Sequence, residues 1–191
     1  MGAIKIIGLG PGDPELLTRK AWEGLQAAEG IWFRTNEHPA VVALKMEHTR
    51  SFDHLYQQAD SFDEIYRQIA DDLVEQAGQG KSIIYAVPGD PMVGEASVQY
   101  VLAEAEARNI PVEVVHGISF IEPCLAALGL DGLDGLVVID ALEVAASHHP
   151  QVSPDVPVLV GQVYSAMVAG DIKLTLMNQY PDDFPVALIH A

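Results

Sequence analysis

The sequence predicts an α/β fold of parallel βαβ units, with a sheet covered on both faces. Three observations predict it. Short apolar runs alternate with stretches of helical spacing along most of the chain. The tetrapeptide Pro-Gly-Asp-Pro stands at Pro11–Pro14 and again at Pro88–Pro91, each time after an apolar run and before a helical stretch. A glycine- and aspartate-rich break, Gly129–Gly135 (GLDGLDG), interrupts the alternation and marks a candidate domain junction.

Taken in order, Ala3–Gly8 (AIKIIG) is apolar and stops at glycine and proline, so it reads as the first strand. Glu15–Ala28 spaces Leu16, Leu17, Ala21 and Leu25 at helical intervals. Ile31–Phe33 is a second short strand. Phe62–Ala77 sets Phe62, Ile65, Ile69, Leu73 and Ala77 at helical intervals, with Ser61 as its N-cap. Ser82–Val87 (SIIYAV) reads as a buried strand, Ala96–Ala107 as a helix and Val112–Val115 as a strand. Past the break come strands at Leu136–Ile139 and Val156–Val160, a helix near Ser165–Gln179 and a strand-like Pro185–His190. The chain stops at VALIHA, in mid-strand by pattern, which reads as a cut from a longer protein rather than an edge strand.

Composition narrows the function classes. At 191 residues the chain is one ordinary domain or two small ones, and 49% hydrophobic against 19% charged residues means a packed globule. Cys124 is the single cysteine, which excludes a disulfide framework and any multi-cysteine metal site and fits a reducing compartment. Its apolar helical setting (PCLAALGL) points to a buried, inert thiol. The histidines lack ligand spacing, so no metal site is expected. The N-terminal apolar run is too short for a signal peptide, and no stretch approaches the ~20 apolar residues of a membrane span. The expectation is a soluble, cytoplasmic protein. Net charge is -17, and residues 109–191 carry ten acids against one base, Lys173. Such a surface repels phosphate backbones and argues against nucleic-acid partners.

The two Pro-Gly-Asp-Pro loops carry the chemistry. In open α/β sheets, ligands bind beyond the carboxyl ends of the strands, where both loops are expected. Glycine lets a ligand approach the backbone, and aspartate with proline also suits a helix start. The first loop is no dinucleotide fingerprint. Gly8 and Gly10 fit GxGxxG, but the third glycine position is Asp13, and no GK[ST] follows. An acidic, proline-stiffened loop suits an uncharged or cationic ligand better than a pyrophosphate.

These residues carry a family resemblance. IIGLGPGDPELLTRKA resembles the opening motif of the tetrapyrrole methylases, the class III S-adenosylmethionine-dependent methyltransferases. VPGDPMVGEAS resembles their second motif and HGISFIEPCLAALGL their third, in the same order and spacing. FRTNEHPAV, FDHLY, FDEIY and VYSAMVAGDIKLTLMNQYPDDFPV further resemble the methylase-like domain fused N-terminally to MazG-type nucleoside triphosphate pyrophosphohydrolases. The resemblance implies two α/β domains, about 1–115 and 116–191, with a parallel sheet in the first and the second truncated at its C-terminus. It implies S-adenosylmethionine as cofactor, a small-molecule substrate and a homodimer.

By the same resemblance Pro11 flanks the cofactor cleft. Pro88, Gly89 and Asp90 pass their backbone along the methionine part, with Val93 packing nearby. Ser119 and Phe120 occupy binding positions of the third motif, although many relatives have a small residue in place of Phe120. Val163 falls on the adenosine side. Asp13 is the candidate substrate-side carboxylate, or else a helix cap. Tyr56 and Tyr66 are further substrate-side candidates, or else pack a helix against the sheet. Peptide-backbone N-methyltransferases of this superfamily use tyrosines and an arginine in a comparable region, but Phe62 stands where that arginine would be. Methyl transfer from a sulfonium needs alignment more than acid–base catalysis, so the missing triad does not count against it. The alternative is a non-catalytic domain that senses the cofactor or dimerises, attached to a MazG-type enzyme.

Overall fold

The computed structural model describes residues 2–28, 30–44, 49–57 and 61–190. The chain divides into a first unit ending at Phe120 and a second spanning Ile121–His190.

The first unit alternates strand and helix. β1 (Ala3–Gly8), α1 (Arg19–Gln26), β2 (Ile31–Phe33), α2 (Pro39–Leu44) and β3 (Thr49–Ser51) come first. α3 (Phe62–Gly78), β4 (Ser82–Val87), α4 (Ala96–Ala107) and β5 (Val112–Val115) follow. The five strands form one parallel sheet in the order β3-β2-β4-β1-β5. The chain steps outward from β1 to β2 and β3, returns through α3 to β4, and then lays β5 on the far side of β1. Strand order therefore reverses at the β1–β4 pair, whose carboxyl ends flank the crevice.

Two cores cover the sheet. On one face α3 and α4 bury Ile65, Ile69, Leu73, Val74, Val98 and Val101 against Ile4, Ile6, Tyr85 and Val87. On the other, Ala21 and Leu25 of α1 pack on Ile7, Phe33, Ala86 and Val115. Burial on both faces is why these strands read as unbroken apolar runs. Ser61 caps α3 by accepting the Glu64 N–H at 3.3 Å. The expected first helix starts late. Pro14–Leu16 form a short 3-10 turn capped by Asp13, and Thr18 then caps α1.

The second unit contains α5 (Ile121–Leu128), β6 (Val137–Asp140), α6 (Ala141–Ala146), β7 (Val158–Gly161) and α7 (Ala166–Leu176). β6 and β7 pair in parallel, and Ala141, Val144, Val168 and Ile172 form its small core. Cys124 is buried in α5. The expected last strand does not form. Residues 185–190 have no regular structure, and Val186 and Leu188 are exposed. An apolar run becomes a strand only when a neighbouring strand takes up its backbone hydrogen bonds, and no partner pairs with it among the described residues.

Candidate functional site at the carboxyl edge of the first sheet

The loops after β1, β4 and β5 are pressed together. Gly10 and Gly89 bridge the first two, each N–H donating to the other's carbonyl at 3.2 and 2.8 Å. A Cβ on Gly117 would lie 2.2 Å from the Gly89 carbonyl oxygen, and one on Gly8 would lie 2.6 Å from the Gly117 nitrogen. Only glycine permits this approach. Gly89 has a φ of +63°, yet among the described residues no atom beyond its own chain neighbours lies within 4 Å of where its Cβ would stand. The loop therefore presents bare backbone to open space, a cradle a ligand can fill.

Asp90 holds the junction. It is 8% exposed. Its Oδ1 accepts from Met92 N–H at 2.8 Å, and its Oδ2 accepts from His116 Nδ1 at 2.9 Å and Gly117 N–H at 3.2 Å. The carboxylate thus ties the β4 loop to the β5 loop, and what it offers a ligand is its backbone. Thr18 Oγ1 donates to the His116 carbonyl at 3.1 Å, which adds the start of α1 to the assembly.

The first loop has its own tether. His38, just before α2, places Nε2 3.2 Å from the Gly10 carbonyl oxygen. A carbonyl only accepts, so Nε2 carries the proton. That leaves Nδ1 a bare acceptor, buried and without a partner among the described residues. Burial lowers the His38 pKa, against an opposing pull from the Gly10 hydrogen bond.

A polar cluster lies at the same edge, above the α3–α4 core. Arg34 directly follows β2, and its Nε lies 3.0 Å from Glu95 Oε1. Ser97 Oγ donates to the same Glu95 oxygen at 2.7 Å. Having one proton, that hydroxyl must accept from Tyr85, also at 2.7 Å. The guanidinium carbon lies 5.4 Å from the Tyr56 ring centroid and 6.0 Å from that of Tyr66. Burial pushes the Tyr56 phenol up to about 12, against the pull of Arg34. Burial likewise raises Glu95, again opposed by Arg34. Tyr66 extends into an aromatic row with Phe62 and Tyr100.

The structure brings some expected site residues together. Pro11 is half-buried in the first loop, next to the bridge of Gly10 to the Pro88-Gly89-Asp90 turn. Val93 donates its N–H to the Asp90 carbonyl at 3.0 Å. Ser119 is buried and Phe120 half-buried, at the end of the β5 loop. Asp13 is exposed and accepts from Glu15 N–H at 2.9 Å, which is the cap geometry. Tyr56 and Tyr66 pack on the α3–α4 core and also face Arg34. Val163 belongs to the second unit, exposed between β7 and α7, beside Gln162 with its φ of +61°. The sequence reading missed Arg34, His38, Glu95 and His116. The available signal was position: Arg34 and His116 directly follow apolar strands, and Glu95 closes a glycine loop before a helix.

The family model of the tetrapyrrole (corrin/porphyrin) methylases matches residues 3–191. The chain belongs to that family. The chain is 36% identical over its whole length to YabN of Bacillus subtilis, of which it spans 38%. It is 32% identical to a siroheme synthase of Stutzerimonas stutzeri over 68% of its own length and 28% of that protein. The chain thus spans well under half of these curated relatives. The uroporphyrin-III C-methyltransferase of Thermus thermophilus superposes with a TM-score of 0.68 at 26% identity, over 95% of this chain and 76% of that one. A structure of the Thermus enzyme complexed with S-adenosylhomocysteine matches at 28% identity and a TM-score of 0.52, over 73% of this chain and 59% of that one. No helix among the described residues is long and apolar enough to cross a membrane.

Proposed function

We propose that this chain is an S-adenosylmethionine-dependent methyltransferase unit acting on a small molecule. One observation carries the reading: the open Gly89 backbone cradle at the β1–β4 switch point, in a family with a member solved with S-adenosylhomocysteine. The residues present fit such a ligand. Pro11, Pro88, Gly89 and Asp90 would hold it through backbone, with Val93, Ser119 and Phe120 as further contacts. When bound, S-adenosylmethionine supplies a methyl group already activated as a sulfonium.

The protein's task is then orientation and exclusion of water, worth up to ~7–11 kcal/mol in favourable cases. Asp90 keeps the cradle rigid by satisfying three donors at once. Asp13, Tyr56 and Tyr66 would stand on the acceptor side. The acidic surface suits a cationic sulfonium and disfavours nucleic acid. Cytoplasmic localisation and a homodimer complete the reading.

Calorimetric titration of S-adenosylhomocysteine tests it. A single site of about micromolar affinity is expected, some 8 kcal/mol. Gly89→Ala sharpens the test, because the fold has room for the methyl group. It should cost only ~1–2 kcal/mol of stability from its left-handed backbone, yet weaken the ligand about tenfold or more. Unchanged affinity in a folded Gly89→Ala protein would place the cofactor elsewhere.

A second reading draws on coverage. The chain spans 38% of YabN, which leaves room for another domain. In that reading it senses the cofactor or dimerises and steers an attached MazG-type pyrophosphohydrolase. A labelled methyl group transferred to any acceptor would remove it.

A further inference from the structure

Building on the methyltransferase reading, we propose that Glu95 sets acceptor specificity: it holds Arg34 in an ion pair, denies that guanidinium to acceptor carboxylates, and reserves the carboxyl edge for an uncharged acceptor. A polycarboxylate needs cations to receive it. Among the described residues, Arg34 is the one lysine or arginine that directly follows a strand of the first sheet. Lys5 and Lys20 instead converge on Glu113, within the β1–β5 pair rather than beyond its end. On α3, Arg67 is engaged by Asp63.

Arg34 is not available either. The Glu95 side chain is 6% exposed and lies 3.0 Å from the guanidinium. It cannot swing away cheaply, because Ser97 donates to it and Tyr85 donates to Ser97, both from fully buried positions. An incoming carboxylate that took Arg34 would leave Glu95 a buried, uncompensated charge. From the other side the rings of Tyr56 and Tyr66 lie against the guanidinium.

The polar group beside that pair is a neutral donor, covered in this structure. The Tyr56 hydroxyl is buried and has no partner among the described residues. It keeps its proton at neutral pH. A neutralised cation beside a neutral hydroxyl matches a ligand oxygen or nitrogen that has lone pairs and no charge. The same geometry makes this edge a poor receptor for a polycarboxylate porphyrin.

The test uses uroporphyrin III as the polycarboxylate probe, titrated by fluorescence quenching into the wild-type chain, Glu95→Gln, and the double variant Arg34→Gln with Glu95→Gln. Glutamine keeps an acceptor for Ser97 and drops the charge. The wild type should show no saturable binding. E95Q should bind at least about tenfold more tightly than wild type, and less so as salt is raised. The double variant should lose that gain. Tight, saturable binding by the wild type would overturn the proposal, as would a folded E95Q with no gain. The wild-type titration needs no variant, so the proposal stays open to refutation even if E95Q does not fold. Titrating S-adenosylhomocysteine separately keeps the two readings apart. Its failure to bind refutes the cofactor assignment, whereas its binding alongside tight uroporphyrin III binding refutes only the role of Glu95.

Discussion

The tetrapeptide Pro-Gly-Asp-Pro is used twice, and the two copies do different work. Asp13 in the first copy is exposed and caps a short 3-10 turn two residues on. Asp90 in the second is buried and ties its loop to His116 and Gly117 of the β5 loop, 26 and 27 residues further along the chain. Each loop has a histidine, again differently placed. His38 is buried against the backbone of the first loop, while the His116 side chain is 69% exposed and pairs with the Asp90 carboxylate. Identical local chemistry gives one shared feature: in both copies the aspartate Oδ1 accepts from the N–H two residues on. The neighbours supplied by the sheet decide whether the aspartate is a cap or a staple.

That contrast can be broken in graded steps. The largest effect is expected from Gly117→Ala, whose methyl group would meet the Gly89 carbonyl oxygen. The second loop must then move, at a cost of about 3 kcal/mol or more in chemical denaturation, with loss of S-adenosylhomocysteine binding. Asp90→Ala comes next. It strips the partners from Met92 N–H, Gly117 N–H and His116, and about 2–3 kcal/mol of destabilisation is expected. Asp13→Ala should cost only about 0.5–1 kcal/mol, the ordinary value of an exposed cap. If Asp13 and Asp90 instead proved equally costly, the two loops would not differ as described.

The smallest effect is one of pH. His38 is held neutral by burial, so its folded-state pKa lies below its unfolded value of about 6.5. The unfolded chain therefore binds the extra proton first. Stability from this group is complete above pH ~6.5 and falls as pH drops below it. Thermal melts at neutral and mildly acidic pH should show a smaller acid loss for His38→Gln than for wild type. An identical loss in both would mean that His38 does not titrate with folding.

Much of the fold was legible in the residues. β1, β2, β4, α4 and β5 stand where the apolar runs and helical spacings put them. Strands buried on both faces must be apolar throughout, so their pattern survives without knowledge of their neighbours. α2, β3 and α6 were not legible: the two helices are six residues long, too short for a helical period to declare itself, and β3 (TRS) has no apolar residue. The end of the chain shows the reverse error. Residues 185–190 have a strand's composition, but pairing is a property of two segments, and composition describes one.

The site divides in the same way. The loops are written in the residues: glycine where the backbone turns left-handed at position 89, and aspartate and proline where a helix begins. Their place at the carboxyl ends of parallel strands followed from the alternation of elements. What those loops meet depends on the folded sheet. The closure of Gly8 and Gly117 around Gly89, the burial of Asp90, and the pairing of Arg34 with Glu95 across 61 residues of chain all depend on strand order. Strand order is set by which apolar faces pack best together, a sum over the whole core that no local stretch of sequence contains.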